Sequence, residues 1–200
     1  MDDIYDFLYN VNSFLTERGW DRLEELLSAA TFSGVMSEFV VEGISKRSAA
    51  VVKNTFHNGR PDLVPRGHYG KDGCQQGDEG IEVKASRWSA GWQGHNVESG
   101  WIMICQYNID TTSLPLEDRE PTKIDRILCA QLERDDWSFS GRGATSRRTP
   151  TASIRRSAVA KLAANIVYLD PDYVPRPRPR KASIEVVAEP AVIEPQPGRG

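Results

Sequence analysis

The sequence predicts an α/β fold, a mixed central β-sheet flanked by helices, followed by a disordered proline-rich C-terminal tail. Three observations predict it. Two N-terminal stretches carry apolar residues at helical spacing, and short apolar or alternating runs bounded by glycine and proline follow them. At Asp170 the composition then breaks, with seven of the chain's twelve prolines lying between Pro171 and Pro197.

The first helix is expected over 3–30, on Ile4, Phe7, Leu8, Val11, Phe14 and Leu15, with Leu23, Leu26 and Leu27 continuing after a break near Gly19. A second is expected over 33–48, with Ser33 as N-cap and Val35, Met36, Phe39, Val40 and Ile44 on its apolar side. Ala49 to His57 then reads as a strand, Asn58-Gly59 as a turn, and Arg60 to Pro65 as a short strand closed by proline. Gly67 to Gly80 is a glycine-rich, charged loop. Ile81 to Ser86 alternates apolar and polar residues, as a strand with one buried face does.

Trp88 to Gly100 is glycine-rich and aromatic, with one short helix. Trp101 to Tyr107 reads as a buried central strand. Ile124 to Leu132 is a further strand. Ala152 to Leu169 begins extended and ends as helix, on Val159, Leu162, Ile166 and Val167. The run Pro175-Arg176-Pro177-Arg178-Pro179-Arg180 suits neither a helix nor an inner strand, so 170–200 is expected to be disordered.

Composition narrows the class. A net charge of −3 gives no global pull toward a polyanion. The apolar runs are too short to span a membrane. The acidic start Met1-Asp2-Asp3 lacks the basic opening of a secretory signal. Cys74, Cys105 and Cys129 are widely spaced and form no Cys-x-x-Cys pair, which argues against a disulfide framework or a zinc site. A cytoplasmic protein with reduced thiols is expected.

The chemistry concentrates on three residues. Asp62 follows a proline at a strand, and Glu82 and Lys84 lie two apart on the next. Strand side chains alternate faces, so Glu82 and Lys84 share one face while Ile81, Val83 and Ala85 take the other. If the two strands pair as a hairpin, Asp62 can meet Glu82. Converging carboxylates repel and call for a cation. Magnesium takes oxygen ligands and keeps several waters. An ammonium beside such a water can hold it in line or accept its proton.

Pro61-Asp62, nineteen residues, then Glu82-Val83-Lys84 resembles the signature of the PD-(D/E)xK nuclease superfamily. The resemblance covers about residues 33–135 and implies a restriction-endonuclease-like core. It implies that Asp62, Glu82 and the Val83 backbone carbonyl hold Mg²⁺, for which Mn²⁺ can substitute, and that Lys84 positions the attacking water. Many members add an acid from the preceding helix, for which Glu38 is the first choice and Glu42 the second. Gln93 or Gln106 would supply the polar residue that often follows the lysine.

Other features suggest where nucleic acid would lie. Trp88, Trp92, Gln93, His95 and Asn96 could stack on bases or reach base edges and phosphates, or simply pack a loop. The stretch from Phe139 to Leu169 has no acidic residue, and Arg142, Arg147, Arg148, Arg155 and Arg156 make it a candidate DNA-contacting surface or a solvated basic face.

The expected organisation is one nuclease-like domain over 1–169, with a helical part (1–32), a catalytic core (33–135) and a basic segment (139–169). The tail follows at 170–200. The expected activity is Mg²⁺-dependent endonucleolytic hydrolysis of DNA, most readily double-stranded; cutting both strands calls for two centres, which a homodimer could supply, though the sequence does not show one. The alternatives are a junction-resolving or repair nuclease or exonuclease of the same superfamily, and a non-catalytic DNA-binding protein that keeps the fold.

Overall fold

A computed structural model describes residues 2–94, 99–115, 118–139 and 152–175. Helix α1 (Asp2–Thr16) buries Ile4 and Leu8 and opens on Asp2 and Asp3, whose charges suit the positive end of the helix dipole. The chain turns at Gly19, where φ is +74°. The single helix expected to 30 is instead α1 and the one-turn α2 (Leu23–Leu26). Helix α3 (Ala29–Arg47) starts four residues before the expected position. Its cap is Ser28, whose hydroxyl accepts from the Thr31 N–H at 3.2 Å. Ser33 lies inside the helix and bonds the Tyr107 hydroxyl at 2.7 Å.

Six strands form the main sheet: β1 (Val51–Lys53), β2 (Leu63–Pro65), β3 (Ile81–Ser86), β5 (Gly100–Asn108), β6 (Lys123–Leu132) and β9 (Ile166–Leu169). They stand side by side in that order. All neighbours are antiparallel except β3 and β5, which run parallel from Ile81↔Trp101 to Ser86↔Gln106. Strands β4 (Gln93–Gly94), β8 (Ala152–Ile154) and β7 (Trp137–Phe139) form a small second sheet.

A parallel pair needs a long crossover. The described part of that crossover carries β4 instead of the expected short helix. Helix α4 (Arg156–Ala163) ends earlier than expected, and Ile166 and Val167 belong to β9. The β-branched and aromatic run Ile166-Val167-Tyr168 favours an edge strand on β6 over a further helical turn. Among the described residues no helix is long and apolar enough to cross a membrane. Of the tail expected from residue 170, residues 176–200 lie outside the described residues, while its first residues are tied to β6: the Asp170 N–H donates to the Asp125 carbonyl at 2.7 Å, Asp170 pairs with Lys123 at 3.3 Å, and the Arg126 guanidinium lies 4.9 Å from the Tyr173 ring.

The main sheet is covered on both faces, which explains why β5 reads as a nearly continuous apolar run. Met103, Cys105 and Tyr107 pack with Val83, Phe32, Met36, Val40, Ile4 and Leu8. Ile102 and Ile104 pack on the other face with Trp92, Trp137, Ile154 and Leu162. Glu82 and Lys84 are the β3 residues in register with Ile102 and Ile104.

The N-terminal helices are tied to the 119–122 segment by charge. Glu24 is buried, pairs with Arg22 and accepts from the Thr122 hydroxyl at 3.0 Å and the Asn12 amide at 2.9 Å. Arg22 in turn donates to the Glu120 carbonyl at 3.2 Å. Removing one partner strands a buried charge. Glu24→Ala is expected to lower stability by about 3–5 kcal/mol in urea melts, whereas an unchanged midpoint would show that the network contributes nothing.

Candidate active site

Asp62 enters β2 from a segment fixed by Asn54. Asn54 is buried, and its N–H donates to the Asp62 carbonyl at 2.9 Å. Its side-chain amide donates to the carbonyls of Pro61 at 3.0 Å and Cys74 at 2.9 Å. Its side-chain oxygen accepts from the Phe56 and Cys74 N–H groups at 3.0 and 3.1 Å. One short polar side chain therefore joins the end of β1, the approach to Asp62 and the glycine-rich loop.

Strands β2 and β3 pair at Leu63↔Ile81, which brings Asp62 beside Glu82 and Val83. Gly80 makes this approach possible: it sits at φ +140°, and a Cβ there would lie 2.2 Å from the Leu63 carbonyl oxygen. Gly80→Ala is expected to cost about 1–3 kcal/mol of strain and to disturb the Asp62–β3 contact. A thermal melt unchanged from the wild type would contradict that reading.

Asp62 Oδ2 accepts a 2.7 Å hydrogen bond from the Val83 N–H. In an extended strand the N–H and C=O of one residue point toward the same neighbour. The Val83 carbonyl therefore faces the Asp62 side, beyond the single β2–β3 pairing position. Lys84 Nζ meets Glu82 Oε1 at 3.1 Å, and both side chains are largely buried, 17% and 12% exposed.

Burial raises the Asp62 carboxyl to about 6, and the nearby Glu82 charge pushes the same way. The Val83 N–H and the Lys84 ammonium oppose that rise without cancelling it. Two carboxylates thus share a partly desolvated place, with one ammonium bonded to Glu82. A divalent ion would remove the repulsion, and the available donors are oxygens, which suit Mg²⁺ rather than a soft metal. Among the described residues no group of three or more His, Cys, Asp or Glu is gathered as for a metal. An ion held here would draw on Asp62, Glu82, the Val83 carbonyl and water.

Glu38 does not join that pair. Its carboxylate bonds Lys53 Nζ at 2.7 Å, and that bond is the main reason the lysine is raised above its usual value. Glu38 is nevertheless near enough for its charge to raise Asp62. Glu42 pairs with Lys46 at 3.4 Å, one helical turn on.

Gln93 is exposed and lines a small concavity with Lys84, Glu82 and the α3 residues Ser33 and Ser37, and its amide lies 3.4 Å from the Ser153 hydroxyl. Gln106 is fully buried, its Oε1 accepting from Arg126 Nε at 2.7 Å. Trp92 is a core residue, not a stacking surface, and its indole N–H donates to the Trp88 carbonyl at 3.0 Å. Arg155 precedes α4 and donates to the Trp137 carbonyl at 2.8 Å, while Arg156 is exposed at the start of that helix. His95, Asn96, Arg142, Arg147 and Arg148 lie outside the described residues.

The sequence reading missed Asn54 and Arg60. Arg60 lines two adjoining concavities, both of which also include Glu82. Its place two residues before Asp62 was the available signal.

Comparison with protein-family models, with curated proteins and with solved structures gives no match.

Proposed function

We propose that this chain is a Mg²⁺-dependent nuclease of the PD-(D/E)xK kind, hydrolysing phosphodiester bonds of double-stranded DNA. The observation that carries the reading is the meeting of Asp62, Glu82 and Lys84 across β2 and β3, with Asp62 on the Val83 N–H and Lys84 on Glu82. The order of elements supports it: a helix, three antiparallel strands with the aspartate before the second and Glu-x-Lys on the third, then a strand parallel to the third. One departure is the crossover, which carries β4 where the resemblance implies a helix.

Bound Mg²⁺, or Mn²⁺ in its place, would polarise a phosphoryl oxygen and lower the pKa of a coordinated water. Asp62, Glu82 and the Val83 carbonyl would hold the ion. Lys84, charged and anchored by Glu82, would hold the attacking water in line and offset charge gathering on the phosphoryl oxygens. Arg155 and Arg156, with Arg142, Arg147 and Arg148, would meet the DNA backbone, and Gln93, His95 and Asn96 would face the substrate. A homodimer would bring the second centre needed to cut both strands.

The test is incubation of supercoiled plasmid with the protein in Mg²⁺ and in EDTA. Nicked and linear products in Mg²⁺ alone are expected. Plasmid left supercoiled in Mg²⁺ as well as in EDTA would remove the proposal.

A further inference from the structure

Beside the carboxylate pair lies a second concavity of about 740 Å³, lined by Arg60, Gln75, Gln76, Glu82 and Trp101 among others. Its size is in the ordinary range for ligand clefts, roughly 300–1,000 Å³. It shares Glu82 and Arg60 with the concavity that contains Lys84. A strand of substrate whose reacting phosphate sits at Glu82 would therefore extend along the wall formed by residues 75–77.

That wall is held rigidly. The Arg60 N–H donates to the Gln75 carbonyl at 3.1 Å, and the Gly77 N–H donates to the Arg60 carbonyl at 2.7 Å. Arg60 and Gln76 form a β-bridge. Asn54 pins Cys74 from the other side. Gly77 lies so close to the Tyr69 hydroxyl and the Cys74 sulfur that a Cβ would fall 2.6 and 2.8 Å from them. Asp78, the acid on this wall, is engaged by the Tyr69 hydroxyl at 3.0 Å.

Gln75 and Gln76 are exposed, and their side-chain amides make no hydrogen bond within the described residues. Two amides with donors and acceptors unspent among the described residues thus stand on a backbone locked to the residue two before Asp62. A glutamine amide matches the N6 and N7 edge of adenine with a donor and an acceptor at once.

Resting on the nuclease reading, we propose that Gln75 and Gln76 read base edges next to the cleaved phosphate and favour adenine there. Sequence preference then comes from the loop before β3.

The test is digestion of a duplex library of random sequence by the full chain in Mg²⁺, with sequencing of the cut ends. Wild-type ends should be enriched in adenine at a fixed offset from the cut. The Gln75→Ala, Gln76→Ala double variant should still cut and should lose that enrichment by roughly ten-fold or more, the scale of one bidentate contact. Gln75→Glu and Gln76→Glu keep the shape and lose the donor. They should move the preference toward cytosine, whose amino group donates to a carboxylate. Wild-type ends without base preference, or an unchanged profile in the double variant, would overturn the inference and leave the nuclease reading standing. A folded double variant that no longer cuts would overturn it too, by placing the pair in catalysis. Wild-type protein that cuts nothing would remove both.

Discussion

Glu82→Ala should reduce Mg²⁺-dependent DNA cleavage by roughly 10²–10³-fold, the scale of losing one pre-organised charge-stabilising group. Three effects combine. The carboxylate that would share the ion with Asp62 disappears. Lys84 loses the partner that holds its ammonium 3.1 Å away in a mostly buried setting. The negative charge that helps raise Asp62 is also removed, so Asp62 should titrate closer to an ordinary carboxyl. Cleavage rate and fold should therefore separate. Circular dichroism should stay wild-type in shape, because Val83, the core residue of this strand, is untouched. Glu82→Gln, which keeps the volume, should fail almost as badly. Cleavage at the wild-type rate by either variant would contradict the site.

Asp62→Asn should make the metal-free protein more stable at pH 7–8 while abolishing cleavage. The wild-type carboxyl sits at about 6 in the fold against 3.8 in an ordinary setting. The native state thus holds a proton that the unfolded chain has already released between those two values. Its contribution is fully present below pH 3.8 and is lost as pH rises to about 6. Above that the ionised group opposes folding. At about 1.4 kcal/mol per pH unit the penalty would approach ~3 kcal/mol, and it falls to about 2 because the group is not fully buried.

Asparagine removes the charge and keeps an oxygen for the Val83 N–H. Urea melts at pH 8 should show a gain of about 2 kcal/mol, and the gain should vanish near pH 4. Ion binding draws on the same carboxylate, so wild-type activity should fall on the acid side as Asp62 takes up its proton. A destabilised Asp62→Asn at pH 8 would mean that the charge is already well compensated. Functional sites commonly carry such a stability cost.

The central strands were legible because their patterns are local. Ile81 to Ser86 alternates cleanly, and β3 occupies those very residues. The apolar run of β5 and the long run of β6 were legible for the same reason. Chain ends of elements were harder. Ser33 reads as a cap as well as Ser28 does, and only the backbone bond from Thr31 separates them. Val159, Leu162 and Ile166 keep helical spacing, but that spacing spans a helix and the start of an edge strand. Trp92 looks like a stacking ring in a glycine-rich loop, and whether it is buried depends on the distant residues Trp137 and Ile154.

In the site, the proximity of Asp62 to β3 follows from a two-strand hairpin, which sequence can suggest. The Asn54 hub has no such signature. It depends on one amide reaching Pro61 and Cys74, seven and twenty residues away. Glu38 lay on the expected helix, but its pairing with Lys53 is set by how α3 packs against β1.

The central claim, that Asp62 and Glu82 together take up a divalent ion, is tested most directly by calorimetric titration of the protein with Mg²⁺ and with Mn²⁺ at pH 8. One ion per chain is predicted for the wild type, with uptake lost in both Asp62→Asn and Glu82→Ala and weakened at pH 5. Uptake by either variant equal to the wild type, or none by the wild type, would contradict the account.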